Sequence, residues 1–163
     1  MVKYVDTKVV FQEIPDEITL AINISNCPCH CKGCHSEYLA KDIGKDLTQR
    51  AVERLIRENP GITCVSFMGG DSEPKLISLL AEVVHKTGLL VGWYSGRDYI
   101  SSDIDARNFD YIKIGPYKEE YGPLNNPKTN QRLYKVNRVI EEDGKDNISL
   151  EDITSKFWRS EVS

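Results

Sequence analysis

The run Cys27-Pro28-Cys29-His30-Cys31-Lys32-Gly33-Cys34-His35 constrains this chain more than any other segment, because it packs four of the five cysteines into eight residues. It directly follows Glu17-Ile18-Thr19-Leu20-Ala21-Ile22-Asn23-Ile24-Ser25, whose apolar alternation reads as a strand. A fold that carries these residues must present a thiol-rich loop at a strand end. Thiolates at such density are tolerated when a soft metal or an iron–sulfur cluster neutralises their charge.

Spacing separates the candidate centres. Structural zinc usually takes two Cys pairs roughly 12 to 20 residues apart. Here Cys64 stands alone 30 residues after Cys34, and no His pair of zinc-ligand spacing follows. Cys31-Lys32-Gly33-Cys34 fits a redox dithiol but leaves Cys27 and Cys29 unexplained. A disulfide framework belongs to small secreted chains, and no secretory leader is expected from these residues. Cys27, Cys31 and Cys34 form C-x3-C-x2-C, close enough for three corners of a [4Fe–4S] cluster whose fourth iron has no protein ligand. The spacing favours that centre; a zinc-binding interaction module and a redox dithiol are the alternatives.

At these cysteines the chain resembles the radical S-adenosylmethionine superfamily, whose cluster motif has this spacing. The resemblance implies that Cys27, Cys31 and Cys34 are the ligands and that Cys29 is a loop thiol. It also implies that the open iron chelates the amino and carboxylate groups of S-adenosylmethionine, whose reductive cleavage gives methionine and a 5′-deoxyadenosyl radical. Phe67-Met68-Gly69-Gly70-Asp71 resembles the superfamily's Gly-Gly-Glu element, with Asp71 one methylene shorter. Cofactor contact is then expected at Gly33, Cys34, His35, Gly69, Gly70 and Asp71, with the Gly70 backbone favoured over the Asp71 carboxylate. His35 stands where the family usually has an aromatic residue near the adenine.

Composition bounds the rest. The chain has 163 residues, 40% of them hydrophobic and 28% charged, enough for one globular domain with a core. A formal net charge of −4 argues against a nucleic-acid partner, and no apolar run approaches the roughly 18 residues of a membrane span. Clustered free thiols favour a reducing setting, so a cytoplasmic location is expected.

Beyond the cysteines, helical and extended patterns alternate. Thr48 fits the cap of a helix with Ala51, Val52, Leu55 and Ile56 on one face, ended by Asn59-Pro60-Gly61. Pro74 fits the first turn of another, with Leu76, Leu79, Leu80, Val83 and Val84 on its apolar face and Gly88 as its stop. Strands are expected at Thr63–Met68, Leu89–Tyr94 and Asp110–Ile114. Ser149 with Asp152 reads as a capping box ahead of a short helix bearing Ile153, Phe157 and Trp158. Strands spaced by helices imply an α/β fold with a mainly parallel sheet. The chain is too short for a complete eight-unit barrel, and the resemblance implies an open, partial (β/α) barrel, one radical S-adenosylmethionine domain over residues 1–163 with an unassigned tail from about residue 135. In that arrangement Cys27–Cys34, Gly69-Gly70-Asp71, Ser95-Gly96 and Gly115-Pro116 line one rim at the C-terminal strand ends.

Asp110-Tyr111-Ile112-Lys113-Ile114-Gly115-Pro116-Tyr117 followed by Thr129-Asn130-Gln131-Arg132 narrows the resemblance to activating proteins of the anaerobic ribonucleoside-triphosphate reductases. It runs from about Tyr4 to about Arg132 and implies a glycyl-radical activase, with the reductase as protein substrate and a flavodoxin or ferredoxin as electron donor. A small domain leaves the face beside the cluster for a macromolecular substrate to cover. Arg97, Lys113, Tyr117 and Arg132 are candidates for the cofactor carboxylate or the partner. Activation of pyruvate formate-lyase and small-molecule chemistry of the 7-carboxy-7-deazaguanine synthase kind are the alternatives within the superfamily. His30 reads as a solvated loop residue, and His85 as a structural residue at a helix end.

Overall fold

The computed structural model of the chain describes residues 2–25, 43–140, 142–144 and 146–158. Alternating and short apolar runs become strands β1 (Lys3–Val10), β2 (Thr19–Ile24), β3 (Lys45–Asp46), β4 (Cys64–Met68), β5 (Leu90–Tyr94), β6 (Tyr111–Ile114), β7 (Arg132–Ile140) and β8 (Asp146–Asp152). The two α-helices among the described residues are α1 (Gln49–Glu58) and α2 (Pro74–His85).

Both helix starts follow local chemistry. The Thr48 hydroxyl accepts the Ala51 N–H at 3.1 Å, so one of the orphan amides at the start of α1 is satisfied. Asn59 Nδ2 then donates to Leu55 O at 2.8 Å and closes the helix end. Pro74 opens α2, where a missing N–H costs nothing. At its other end Thr87 Oγ1 donates to Val84 O at 2.6 Å, and Gly88 takes φ +86° to turn the chain away.

The strands form one sheet in the order β3-β1-β2-β4-β5-β6-β7-β8. The four central strands β2, β4, β5 and β6 run parallel. On one side β1 and β3 add antiparallel, and on the other β7 and β8 do the same. Three pairings are parallel and four antiparallel. The expected partial (β/α) barrel with a mainly parallel sheet is therefore wrong: the described residues form a mixed eight-stranded sheet with two α-helices. The reason is local. Only the links into β4 and β5 carry a long apolar stripe. The link from β5 to β6 holds just a single 3₁₀ turn, Ala106–Asn108. After β6, Pro116, Pro123 and Pro127 interrupt any helical pattern, and the chain folds back as a hairpin. The helix expected after Ser149 is also absent, because Ser149 lies in β8 opposite Asn137 of β7. Asp152 instead caps a 3₁₀ turn, Thr154–Phe157, its Oδ1 accepting from Thr154 N at 2.9 Å and from Thr154 Oγ1 at 2.6 Å.

Strand pleating divides the core by face. Leu20, Ile22 and Ile24 of β2, Val65 and Phe67 of β4, Val91 and Trp93 of β5 and Ile112 of β6 meet Val52, Leu55, Ile77, Leu80 and Val84 from the helices. Trp93 stacks on Phe109 with ring centroids 5.7 Å apart. Full burial of each such side chain contributes about 1.5–3 kcal/mol, so this face holds the fold together. The opposite face carries a smaller apolar cluster of Ile14, Cys64, Tyr111, Leu133 and Ile153. Cys64 and Tyr111 are the first residues of β4 and β6, so this cluster sits at the N-terminal end of the parallel strands. Toward their C-terminal ends the same face turns more polar, through Asn23, Tyr94 and Lys113 beside Met68, and all but Lys113 remain partly exposed. No described helix is long and apolar enough to cross a membrane.

Candidate functional site

Parallel strands bring their C-terminal ends to one edge of the sheet, and of the residues singled out by sequence Gly69, Gly70, Asp71, Ser95 and Lys113 collect there. Asn23 pairs with Met68, Met68 with Tyr94, and Tyr94 with Lys113. The cysteine segment leaves from this edge and returns to it. Ser25, its last described residue, donates its backbone N–H to Lys3 O at 2.9 Å. On the return side Leu47 N donates to Val2 O at 2.8 Å, and β3 pairs with Lys3 and Tyr4. Both stems are therefore anchored on the start of β1, directly beside the end of β2. Cys27, Cys31 and Cys34, with Cys29, His30, Gly33 and His35, lie outside the described residues.

Gly69 and Gly70 follow β4 with φ of +110° and +90°, a conformation that side chains resist. Their hydrogen bonds fix the turn: Gly69 N donates to Tyr94 O at 2.9 Å, and Trp93 Nε1 donates to Gly69 O at 2.7 Å. A Cβ on Gly69 would stand 3.3 Å from Ile24 O, so the glycine lets β4 end against the residue that precedes the cysteine segment. A Cβ on Gly70 would come within 2.6 Å of Ile77 Cδ1 and 3.4 Å of Ile24 Cδ1. The absent side chain at Gly70 thus makes room for the core under α2.

Asp71 is buried, and its carboxylate reaches the end of the next strand. Ser95 Oγ donates to Asp71 Oδ1 at 2.5 Å, and Gly96 N donates to Asp71 Oδ2 at 2.8 Å. The Ser95 hydroxyl in turn accepts Arg97 N at 3.1 Å. This brace locks the β4 turn to the β5 turn. It is consistent with a carboxylate that shapes the edge and leaves close approach to the neighbouring backbone. Sequence reasoning placed Ser95 on the rim but missed its bond to Asp71, because nothing local links residues 24 positions apart.

Lys113 extends the brace to β6. Its buried Nζ donates to Gly115 O at 2.9 Å and Ser95 O at 3.2 Å, and it lies 5.6 Å from the Tyr94 ring centroid. Gly115 N donates to Arg97 O at 2.6 Å. The Tyr94 phenol donates to the Glu13 carbonyl, and burial pushes its pKa well up, so the group stays a donor.

The other candidates scatter. Arg97 is at the edge with an exposed side chain, and Tyr117 is partly buried beyond Gly115. Arg132 Nη1 is 3.6 Å from Asp152 Oδ2, which ties it to β8. His85 Nε2 is 2.7 Å from Asp110 Oδ2, an oxygen that also accepts Val91 N at 2.8 Å, so His85 fastens α2 to the sheet. Cys64 is fully buried, and desolvation pushes its thiol up to about 12, which keeps it protonated near neutrality. It starts β4 opposite Thr19, five residues from the end of β2, so roughly 16 Å of strand separates it from the root of the cysteine segment.

Among the described residues no group of three or more His, Cys, Asp or Glu side chains is arranged to hold a metal ion. A centre with three such ligands must therefore draw on residues outside the described ones, where the thiols of the cysteine segment suit iron–sulfur ligation. A family model described as "4Fe-4S single cluster domain" matches residues 18–106, a span that starts just before β2 and takes in the cysteine segment and both turns of the Asp71 brace. No curated protein matches the chain, and no solved structure does.

Proposed function

This chain belongs to the 4Fe-4S single cluster domain family, and from that premise we propose that it is a radical S-adenosylmethionine activase acting on an anaerobic ribonucleoside-triphosphate reductase. The observation that carries the reading is adjacency. The stems of the cysteine segment, the Gly69-Gly70 turn and the Asp71–Ser95 brace share one sheet edge. A partly exposed polar face begins directly beneath them.

In this reading Cys27, Cys31 and Cys34 hold the cluster and leave one iron to S-adenosylmethionine. With an electron delivered to the cluster, S-adenosylmethionine bound there would supply the radical chemistry needed to take a hydrogen atom from a glycine α-carbon of the partner. Gly33, His35, Gly69 and Gly70 border the cofactor. Asp71 holds the Gly69-Gly70 turn rigid through Ser95 and Gly96, and a rigid turn presents its backbone groups without reorganisation. Lys113 fixes the ends of β5 and β6 as the floor of the same space. The electron comes from a small carrier protein such as a flavodoxin or ferredoxin, and the whole activity belongs in the cytoplasm. The chain acts as a single domain.

The test is anaerobic turnover. With a strong reductant alone, the reconstituted protein should slowly release 5′-deoxyadenosine and methionine. With the cognate reductase present, an organic radical signal split by a glycine α-hydrogen should appear on the reductase and collapse in oxygen. Pyruvate formate-lyase should yield little signal. Absence of cofactor cleavage under reduction would overturn the radical assignment. Cleavage without a radical on the reductase would overturn the choice of partner.

A further inference from the structure

One face of α1 carries charge that the fold does not neutralise. Arg50, Arg54 and Arg57 follow one another at i, i+4 and i+7, a single stripe opposite the buried Ala51, Val52 and Leu55. Like charges at this spacing repel, and Arg50 stands in the first turn, where the helix dipole already concentrates positive potential. No acidic residue occupies that turn. Arg54 Nη2 donates to the Tyr4 phenol at 2.7 Å and its Nε lies 3.7 Å from Glu58 Oε1, which fixes the middle of the stripe. Arg50 and Arg57 are exposed and form no ion pair with a described residue. The stripe borders a cleft of about 450 Å³ that Lys45 of β3 and Tyr4 of β1 also line. Four cations thus face the two carboxylates of Asp46 and Glu53, in a chain whose formal net charge is −4. Glu53 is held by Gln49, whose Nε2 donates to its Oε1 at 3.1 Å.

The position of the cleft ties it to the cysteine segment. Tyr4 pairs with Ile24, the last residue of β2, and β3 is the stem on which the segment returns. A Cβ on Gly44 would collide with Tyr4 O, so glycine there lets the returning chain settle on β1 and sets Lys45 at the cleft. Tyr4 shares the helix-covered face with Ile24, whereas Asn23, Tyr94 and Lys113 lie on the opposite one. A protein seated in the cleft therefore leaves the polar face free for the substrate.

We propose that this cleft docks the acidic face of the small one-electron carrier protein that reduces the cluster. This deepens the activase reading and rests on it. The reduced carrier gives up one electron to the cluster and is itself oxidised by one electron; no bond changes and no proton moves in this step. Charge complementarity selects the partner, since unneutralised arginines beside the stem of the cysteine segment raise the local concentration of an anionic surface. The two apolar residues that line the cleft, Tyr4 and Ala51, are buried, so it offers no hydrophobic anchor. A stable interface would bury aromatic and aliphatic side chains at its centre. A charged patch without them suits a brief encounter, steered by potential and quickly released, which is what a carrier serving a second electron delivery requires.

The experiment uses the full chain with its reconstituted cluster, flavodoxin and ferredoxin from the same cell as carriers, and two double variants. Arg50→Gln with Arg57→Gln removes the ends of the stripe and leaves the Arg54–Tyr4 bond in place. Lys86→Gln with Lys135→Gln removes the same charge beyond the end of α2 and from β7, away from the cleft. Isothermal titration calorimetry at low salt should show the carrier's dissociation constant raised about tenfold by the first pair and by less than about twofold by the second. Added salt should weaken carrier binding steeply in the wild type and less in the arginine variant. Carrier-driven cleavage of S-adenosylmethionine below saturation should fall about tenfold, while cleavage driven by a small chemical reductant stays within about twofold. Iron content and thermal midpoint should not fall, because the exchange relieves like-charge repulsion. Unchanged carrier affinity in the arginine variant, an equal loss in the lysine variant, or no binding of either carrier to the wild type overturns the proposal. A raised KM for the reductase with carrier affinity intact assigns the cleft to the substrate, and a loss of iron assigns it to support of the cysteine segment; either result overturns the proposal. If the wild type cleaves no cofactor with the chemical reductant, or leaves no radical on the reductase, the activase reading itself fails, and that outcome is recognisable without either variant.

Discussion

Alanine at Cys27, Cys31 or Cys34 should each take the reconstituted protein from about four iron per chain to near none, because two remaining thiolates hold a [4Fe–4S] cluster poorly. Alanine at Cys29 should retain the iron, the visible cluster absorption and the cleavage of S-adenosylmethionine. Cys64→Ala is the structural control. That thiol is buried at the far end of β4 and kept protonated by desolvation, so its loss should leave iron content unchanged. Iron and sulfide analysis of the five variants, purified anaerobically, decides the register. Retention of the cluster in Cys27→Ala with its loss in Cys29→Ala would show that the ligand set is misassigned.

Gly70→Val should lower the thermal midpoint by on the order of 10 °C in the metal-free protein, whatever it does to cofactor binding. The two causes are separable. A branched residue at φ +90° costs about 1–2 kcal/mol from backbone strain. A Cβ 2.6 Å from Ile77 Cδ1 adds overpacking of about 1–3 kcal/mol, since Ile77 is fully buried in the core. Gly61→Ala provides the comparison: its φ is +91° but nothing lies within 4 Å of the added carbon, so only strain remains. Differential scanning calorimetry of both variants checks the pair. Equal, small shifts would mean that α2 relaxes away from the turn and that the glycine is not required by packing. Weakened cofactor binding in Gly70→Val therefore cannot by itself be read as a lost backbone contact.

The parts of the fold that sequence foretold are those whose signal is local. Thr48 and Pro74 mark helix starts by their own chemistry, and the apolar runs of β4, β5 and β6 end at glycine or serine just where the structure turns. The flanking strands gave no such signal. In β1, Lys3-Tyr4-Val5-Asp6-Thr7-Lys8 mixes polar and apolar residues because the strand is only partly buried. Ser149 and Asp152 have the spacing of a helix cap, but pairing of β8 with β7 decides that segment instead. A short-range motif worth about 1 kcal/mol yields to a ladder of seven paired residues. Those antiparallel additions are what turn the expected barrel into a mixed sheet. At the site, the residues of the edge were legible as punctuation after strands, while their mutual bonds were not. Asp71 announces a carboxylate beside two glycines, and only the three-dimensional neighbourhood shows Ser95 and Gly96 occupying it. Lys113 is a lone charge in the apolar run of β6, and its burial follows from pairing with β5 and β7 on either side.

Metal and sulfide analysis of the anaerobically reconstituted wild-type protein, combined with electron paramagnetic resonance of the reduced form with and without S-adenosylmethionine, tests the central claim most directly. The account predicts about four iron and four sulfide per chain, and a cluster spectrum that changes when the cofactor is added because one iron lacks a protein ligand. One zinc per chain with no sulfide, or a four-iron cluster whose spectrum ignores S-adenosylmethionine, would contradict it.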